Sequence, residues 1–144
     1  MRRWIDPAVV AAISLGAWVV SRPWPGFNSP DSEFYASLAL FGSEVTDRAT
    51  EPGYAWTRLG YIAPVRSLTS ALGPWAGFGM WRYLVIAMVV GSVYAVVRMA
   101  STRQLAVLIA AFAGLNTMVL AYAGNTYLTG TVVGALSVLL ALGC

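Results

Sequence analysis

The sequence contains no histidine, no lysine and a single cysteine, Cys144. Without histidine, Ser-His-Asp and Cys-His nucleophilic catalysis are excluded, and most transition-metal sites lose their usual ligands. One cysteine cannot form a disulfide bond within the chain. Any acid–base chemistry therefore falls to aspartate, glutamate, tyrosine or groups assisted by arginine.

Charge is also scarce: charged residues make up 10% of the 144 residues, against roughly 25% in average soluble proteins. Hydrophobic residues make up 58%, and the mean hydropathy is +0.68. This composition predicts a membrane protein. The net charge of +3 is spread along the chain without a basic run, so no nucleic-acid partner is expected.

Four apolar stretches predict an all-α, polytopic membrane protein in which residues 1–144 form a single transmembrane domain. About four transmembrane helices are expected, and the first two are separated by a loop over 22–76. No small-residue cleavage site follows the first stretch, which favours an uncleaved span over a signal peptide. The expected spans are about 4–21, 77–97, 104–123 and 127–144.

The orientation is predicted from the arginine residues that flank these stretches. Arg2 and Arg3 precede the first span, and Arg98 and Arg103 bracket the link between the second and third. Both sets are expected on the cytoplasmic side, which places the N-terminus in the cytoplasm. The loop over 22–76 is then extracytoplasmic.

This loop carries five of the six acidic residues, all between positions 31 and 51. Ionised groups are costly in lipid, so their concentration in one segment marks the place where function is expected. Ser29-Pro30-Asp31 is typical of a helix start, and apolar residues then recur at helical spacing up to Phe41. The pattern predicts an amphipathic helix over about 30–41, lying on the membrane surface.

Asp31 and Glu33 are the candidate catalytic residues of this helix. Residues two apart on a helix point to different sides, so the two acids cannot both face one reacting atom. Asp31 is the preferred chemical group because it lies nearer the end of the first span. The structural alternative is that both acids stabilise the first helical turn, by roughly 0.3–1 kcal/mol each.

The second half of the loop contains a further candidate helix over 58–72. Arg58 and Arg66 are eight residues apart and share one face of it if Pro64 permits a helix. Both are candidate substrate-binding cations, and the alternative is that they extend to the lipid headgroups. Gly73-Pro74 then introduces the second span.

The stretches PDSEFYASLALFG and YAWTRLGYIAPVRSLTSALGPWAGF, placed after one short span, resemble the N-terminal portion of the GT-C superfamily. These membrane glycosyltransferases use a polyprenyl-phosphate sugar as donor. The resemblance implies transfer of the sugar, on the extracytoplasmic side of the bacterial inner membrane, to a glycan or lipid acceptor of the cell envelope.

The resemblance also implies roles for single residues. Asp31, assisted by Glu33, would bind or deprotonate the acceptor, or Asp31 would help to hold a divalent metal such as Mg²⁺ or Mn²⁺. An arginine would neutralise charge on the lipid phosphate, for which Arg58 and Arg66 are candidates. Tyr35 is a candidate for the sugar site, although an aromatic residue on an apolar face is more often packing.

Two departures from the family pattern matter. The link at 124–129 has no acid where the family often has one. Asn125 in this link can still hydrogen-bond a sugar, although an asparagine in a turn needs no such explanation. The family members also have more spans, so the chain is expected to need a C-terminal membrane half for activity. The alternative function is a small non-catalytic four-span subunit or a transporter component, for which the small residues Gly91, Ala95, Gly130, Gly134 and Ala135 would pack against partner helices.

Overall fold

The computed structural model describes residues 6–20, 37, 39–41, 59–116, 119 and 128–143. Secondary structure in this part of the chain is helical throughout, without strands, so the all-α prediction is confirmed for it. Residues 37 and 39–41, at the end of the expected surface helix, are helical, and the rest of that helix lies outside the described residues. The five longer helices are α1 (Pro7–Val20), α2 (Leu59–Leu72), α3 (Pro74–Ala100), α4 (Arg103–Gly114) and α5 (Leu128–Gly143).

The central element is α3, which contains 27 residues and contacts each of the other four helices. Its length is about 40 Å, at 1.5 Å per residue, which exceeds the roughly 30 Å hydrocarbon core of a bilayer. Among the described residues it is the one helix long and apolar enough to cross a membrane.

The expectation of four spans is therefore not confirmed. Helices α1, α4 and α5 are apolar but have only 14, 12 and 16 residues. A helix of 14 residues is about 21 Å long, shorter than the hydrocarbon core.

Local sequence sets both ends of α3. Gly73 has a φ of 82°, a left-handed conformation that glycine adopts without steric cost, and Pro74 then occupies the first helical position. After Ala100, a link of two residues leads into α4, whose first turn is capped by the Thr102 hydroxyl accepting a hydrogen bond from the Leu105 N–H at 3.4 Å. Such a short link makes α3 and α4 antiparallel neighbours.

The hydrophobic core lies where α1, α3 and α4 meet. Helix α1 runs antiparallel to α3, because Trp18 near its end contacts Gly79 while Val10 near its start contacts Gly91. On another side of α3, Gly134 of α5 lies against Met88. The core residues are Ala17, Val85, Ile86, Val90, Tyr94, Ala106 and Ala110.

Helix α2 packs closely on the first turns of α3. It continues through Pro64, so Pro64 does permit a helix here. Arg66 lies on this helix, and Arg58 lies outside the described residues. The closest approach is at Gly77, where a Cβ atom would lie 2.5 Å from Thr69 Cα. Only glycine fits between the two backbones there.

Helix α4 is shorter than the apolar stretch from which it was predicted. The span was expected over 104–123, but the helix ends at Gly114, and Leu115 follows with φ −90° and ψ 0°. A Cβ atom on Gly114 would lie 2.8 Å from Val90 Cγ2, so this helix end is held tightly against α3. Apolar composition predicted the stretch but carried no signal for its interruption.

Candidate functional site

The helices of this bundle have two distinct ends. At the outer end, α1 ends at Val20 and α3 begins at Pro74. At the inner end, α3 ends at Ala100 and α4 begins. The chain between α1 and α2, with five of the six acids, leaves the described bundle at the outer end. Arg98 and Arg103 lie at the inner end.

Most of the site residues predicted from the sequence fall outside the described part of the chain. This applies to the candidate catalytic residues Asp31 and Glu33 and to three binding residues, Tyr35, Arg58 and Asn125. Their predicted roles stay predictions.

Arg66 is the one predicted site residue that the structure describes. It lies on α2 with an exposed side chain, and its backbone carbonyl accepts a hydrogen bond from the Thr69 hydroxyl at 3.1 Å. The buried residues of α2 that face α3 are Tyr61, Val65 and Thr69. Arg66 therefore lies away from the contact between α2 and α3.

Arg82 of α3 is a charged side chain inside the bundle. Only 8% of the residue is exposed, and Phe78, Val85 and Ile86 around it on α3 are buried apolar residues. The signal in the sequence is an isolated charge within an apolar stretch, which marks a candidate functional residue in a membrane helix. The site assigned from sequence omitted it because Arg82 lies near one edge of the predicted span.

Tyr61 is a second buried polar side chain at the same end of the bundle. It is 1% exposed, and its hydroxyl has no hydrogen-bond partner among the described residues. Its ring packs edge to face against Trp81, with centroids 6.3 Å apart, so it lies beside the turn of α3 that carries Arg82. A buried hydroxyl without a hydrogen-bond partner costs free energy.

The outer end also carries an apolar groove between α1 and α3 with a volume of about 570 Å³. The Trp18 indole N–H donates a hydrogen bond to the Gly79 carbonyl at 2.9 Å, which fixes one wall of this groove. Aromatic residues with one polar tip favour the boundary between lipid and water. The groove is lined by Leu15, Trp18, Trp75, Ala76, Gly79, Met80 and Tyr83.

The inner end is tied together by an ion pair between Asp6, the residue before α1, and Arg103, the first residue of α4. Arg103 Nη2 donates to Asp6 Oδ2 at 2.6 Å, and Asp6 Oδ1 also accepts from the Val9 N–H at 3.3 Å. The hydrogen bond from Arg103 is the main cause that lowers the pKa of the Asp6 carboxyl below its usual value. The hydrogen bond to Asp6, followed by one with Tyr94, raises the pKa of Arg103.

The described residues include no group of three or more side chains able to hold a metal ion. The acids on which the metal alternative depends, Asp31 first among them, lie outside that part of the chain.

No protein-family model, curated protein or solved structure matches this chain.

Proposed function

We propose that the chain is the N-terminal part of a membrane glycosyltransferase. It would move a sugar from a polyprenyl-phosphate donor to a cell-envelope acceptor on the extracytoplasmic side of a bacterial inner membrane. The proposal comes from the resemblance of the loop over 22–76 to the GT-C superfamily and from the concentration of acids in that loop.

One structural observation supports the proposal. The last residue of α1 and the contact between α2 and the first turns of α3 lie at the outer end of the bundle. Arg98 and Arg103 lie at the opposite end. The acidic segment is thus tethered at the end that the positive-inside rule assigns to the extracytoplasmic side. A polyprenyl-phosphate donor presents its sugar at a membrane surface, which is where a general base in this segment would meet it.

The proposed roles are those that the resemblance to the GT-C superfamily implies, and they fit the chemistry of transfer. Asp31, assisted by Glu33, accepts the proton of the acceptor hydroxyl or amine, or Asp31 holds a divalent metal. A guanidinium group stabilises the charge on the departing lipid phosphate, and Arg58 and Arg66 are the proposed cations. Tyr35 and Asn125 are proposed to contact the sugar.

The test is an Asp31→Asn substitution in the chain co-expressed with a C-terminal membrane half. Sugar transfer is expected to fall by at least about 100-fold, the lower range for loss of a general base. Asp47→Asn is the matched control, since Asp47 belongs to the same acidic segment but carries no proposed role. Equal activity of both variants and the unchanged chain, at equal expression, would refute the assignment.

A second candidate function is a non-catalytic membrane subunit. The observation that favours it is the exposure of large apolar side chains along α4 and α5, with Phe112 76% exposed. Such faces suit lipid or partner helices. However, the small residues first assigned to partner contacts serve packing within this chain at two positions, because Gly91 contacts Val10 and Gly134 contacts Met88.

A further inference from the structure

A groove between α1 and α4 at the inner end of the bundle, which we call the inner groove, carries a further inference. Its volume of about 510 Å³ falls within the roughly 300–1,000 Å³ range of small-molecule sites. The proposed sugar transfer takes place at the opposite end of the bundle and does not use this groove. The described residues that line it are Val9 of α1 and Arg103, Gln104, Val107 and Leu108 of α4.

The inner groove is polar at its mouth and apolar one helical turn further along α4. Arg103 and Val107 are four residues apart, and so are Gln104 and Leu108. Residues at this spacing lie above one another on one face of a helix, about 6 Å apart along its axis. Because α4 begins at the inner end, the two polar side chains lie at that end and the two apolar ones deeper along the bundle. The groove therefore suits a molecule with a polar head and an apolar tail.

The cation at the mouth of the groove is accessible and held in place. The Arg103 side chain is 61% exposed, its Nη2 donates to Asp6 Oδ2 at 2.6 Å, and Tyr94 is a second hydrogen-bond partner. The Asp6 carboxylate also accepts from the Val9 N–H, so the ion pair holds the guanidinium group beside the wall that Val9 provides. A guanidinium group has five N–H donors in a planar fork, so it can bind a phosphate group while it keeps these two contacts.

Charge complementarity identifies the occupant as an anionic lipid. Among the described residues at the inner end, two cations, Arg98 and Arg103, stand against one acid, Asp6. Arginine binds phosphate oxygens with a bidentate fork. The positive-inside rule assigns this end to the cytoplasmic side, where the leaflet is rich in anionic lipids and basic pockets between helices bind their head groups.

We infer that the inner groove binds an anionic phospholipid of the cytoplasmic leaflet. The lipid phosphate binds Arg103 and Gln104 at the mouth. The first part of an acyl chain lies deeper, against Val9, Val107 and Leu108. The inference rests on the membrane placement in the proposed function but not on sugar transfer.

The experiment titrates dioctanoyl phosphatidylglycerol into the purified full chain in dodecyl maltoside, a detergent without phosphate, and follows binding by ³¹P NMR. Arg103→Gln is expected to weaken binding by at least about 10-fold, because a hydrogen bond between charged groups is lost. Arg98→Gln is the matched control, which removes the same charge from the same end. Arg98 is not among the described residues that line the groove, and its Nη1 donates to the Ser101 carbonyl at 2.9 Å. Its loss should change affinity by less than about 3-fold at about 0.15 M salt.

The apolar half of the groove has its own pair of variants. Leu105 and Leu108 are both exposed on α4, but only Leu108 is among the residues that line the groove. Leu108→Gln is expected to weaken binding about 3-fold or more, because apolar contact with the acyl chain is lost. Leu105→Gln should leave affinity unchanged within about 2-fold.

Two further ligands test the chemistry of the occupant. Dioctanoyl phosphatidylcholine, which has the same chains and no net charge, should bind at least about 10-fold more weakly, and equal binding would overturn the anionic assignment. Inorganic phosphate that competes at equal concentration would show that a free anion occupies the groove and would overturn the lipid assignment.

Equal losses in Arg103→Gln and Arg98→Gln would show a diffuse attraction to the whole end and overturn the site. Unchanged affinity in Arg103→Gln would overturn it as well. Arg103 also pairs with Asp6, so its loss can disturb folding. If Arg103→Gln loses its helical circular dichroism, Gln104→Leu and Leu108→Gln decide, and unchanged affinity in both is contrary to the inference.

The same measurements separate this inference from the proposed function. Phosphatidylglycerol binding that depends on Arg103, in a chain whose Asp31→Asn variant transfers sugar normally, would uphold the site and refute the transferase. Transfer that depends on Asp31 while binding is indifferent to Arg103 would do the reverse.

Discussion

Trp18 and Gly79 are joined by a hydrogen bond in which the indole N–H donates to the backbone carbonyl at 2.9 Å. The donor lies in the last turn of α1 and the acceptor in the second turn of α3, so this bond fixes the outer ends of two helices that are distant in sequence. The Gly79 carbonyl thus accepts a hydrogen bond from another helix, and not only from residues within α3.

Trp18→Phe is expected to lower the stability of the bundle by about 1 kcal/mol, because it removes this hydrogen bond and keeps most of the aromatic packing. Thermal unfolding in detergent, followed by circular dichroism, measures the effect. Phe112→Leu serves as control, since Phe112 is largely exposed and its change should leave the melting temperature nearly unaltered. Equal melting temperatures for Trp18→Phe and the unchanged chain would contradict the role given to this bond.

A second prediction concerns close packing between α2 and α3. Gly77→Ala is expected to destabilise the bundle by about 1–3 kcal/mol, because the added Cβ meets the Thr69 backbone at 2.5 Å and the helices must separate. Thr69→Ala should not rescue it, since the nearest atoms are Cα and N. Gly16→Ala is the matched control: its Cβ meets nothing within 4 Å, and alanine favours the helix by up to about 1 kcal/mol. Similar melting temperatures for the two alanine variants would exclude the tight contact.

The ion pair at the inner end predicts a specific dependence on pH. Because the pKa of Asp6 is lowered in the folded chain, its stabilising contribution is present above the unfolded value near 3.8 and is lost as the pH falls through the folded value below it. The unchanged chain should therefore melt at a higher temperature than Asp6→Asn, by a margin that stays constant between pH 5 and pH 7 at about 0.1 M salt. The two melting temperatures should converge as the pH falls below about 4. Asp6→Asn itself should have a weaker dependence on acid.

The pairing itself is checked by non-additivity. If Arg103 stabilises the bundle mainly through Asp6, then Arg103→Gln should cost little in a chain that already carries Asp6→Asn. Additive losses in the double variant would show that the two residues act independently.

Topology gives a fourth prediction. A single cysteine placed at Ser32, with Cys144→Ser, should react with an impermeant maleimide added outside intact cells. A cysteine placed at Ser101 should react only after the membrane is opened, because the link between α3 and α4 is proposed to be cytoplasmic. Labelling of Ser32→Cys only after lysis would reverse the orientation and remove the basis of the proposed function.

The sequence was most informative where local chemistry determines structure. Gly73 and Pro74 predicted the start of α3, and the structure begins this helix at Pro74 with Gly73 in a left-handed conformation. Apolar composition likewise located the helices α1, α3, α4 and α5, since burial or lipid contact along a whole helix leaves a continuous apolar signal.

Features that depend on contacts between helices were not predictable in the same way. Helix α4 ends at Gly114, which lies close to Val90. Gly114 and Asn116 are residues that often end helices, but within a continuous apolar stretch they were outweighed by the hydropathy signal. The burial of Arg82 depends on which side of α3 faces the other helices. Because α3 is apolar on nearly every side, its sequence does not indicate which side is buried. Of the candidate site, the sequence located an acidic segment. The isolated charge of Arg82 is visible in the sequence, but its burial and that of Tyr61 emerged only from packing.

The contact between Asp6 and Arg103 has a consequence for how the protein is made. Its two partners are separated by 97 positions in the chain. At translation rates of about 5–20 residues per second, Asp6 waits roughly 5–20 s after its own synthesis before Arg103 exists. During that interval a 14-residue first helix has neither its ionic partner nor the α4 surface to pack on. The packing of the first helix is therefore completed only after the whole of α4 has been synthesised.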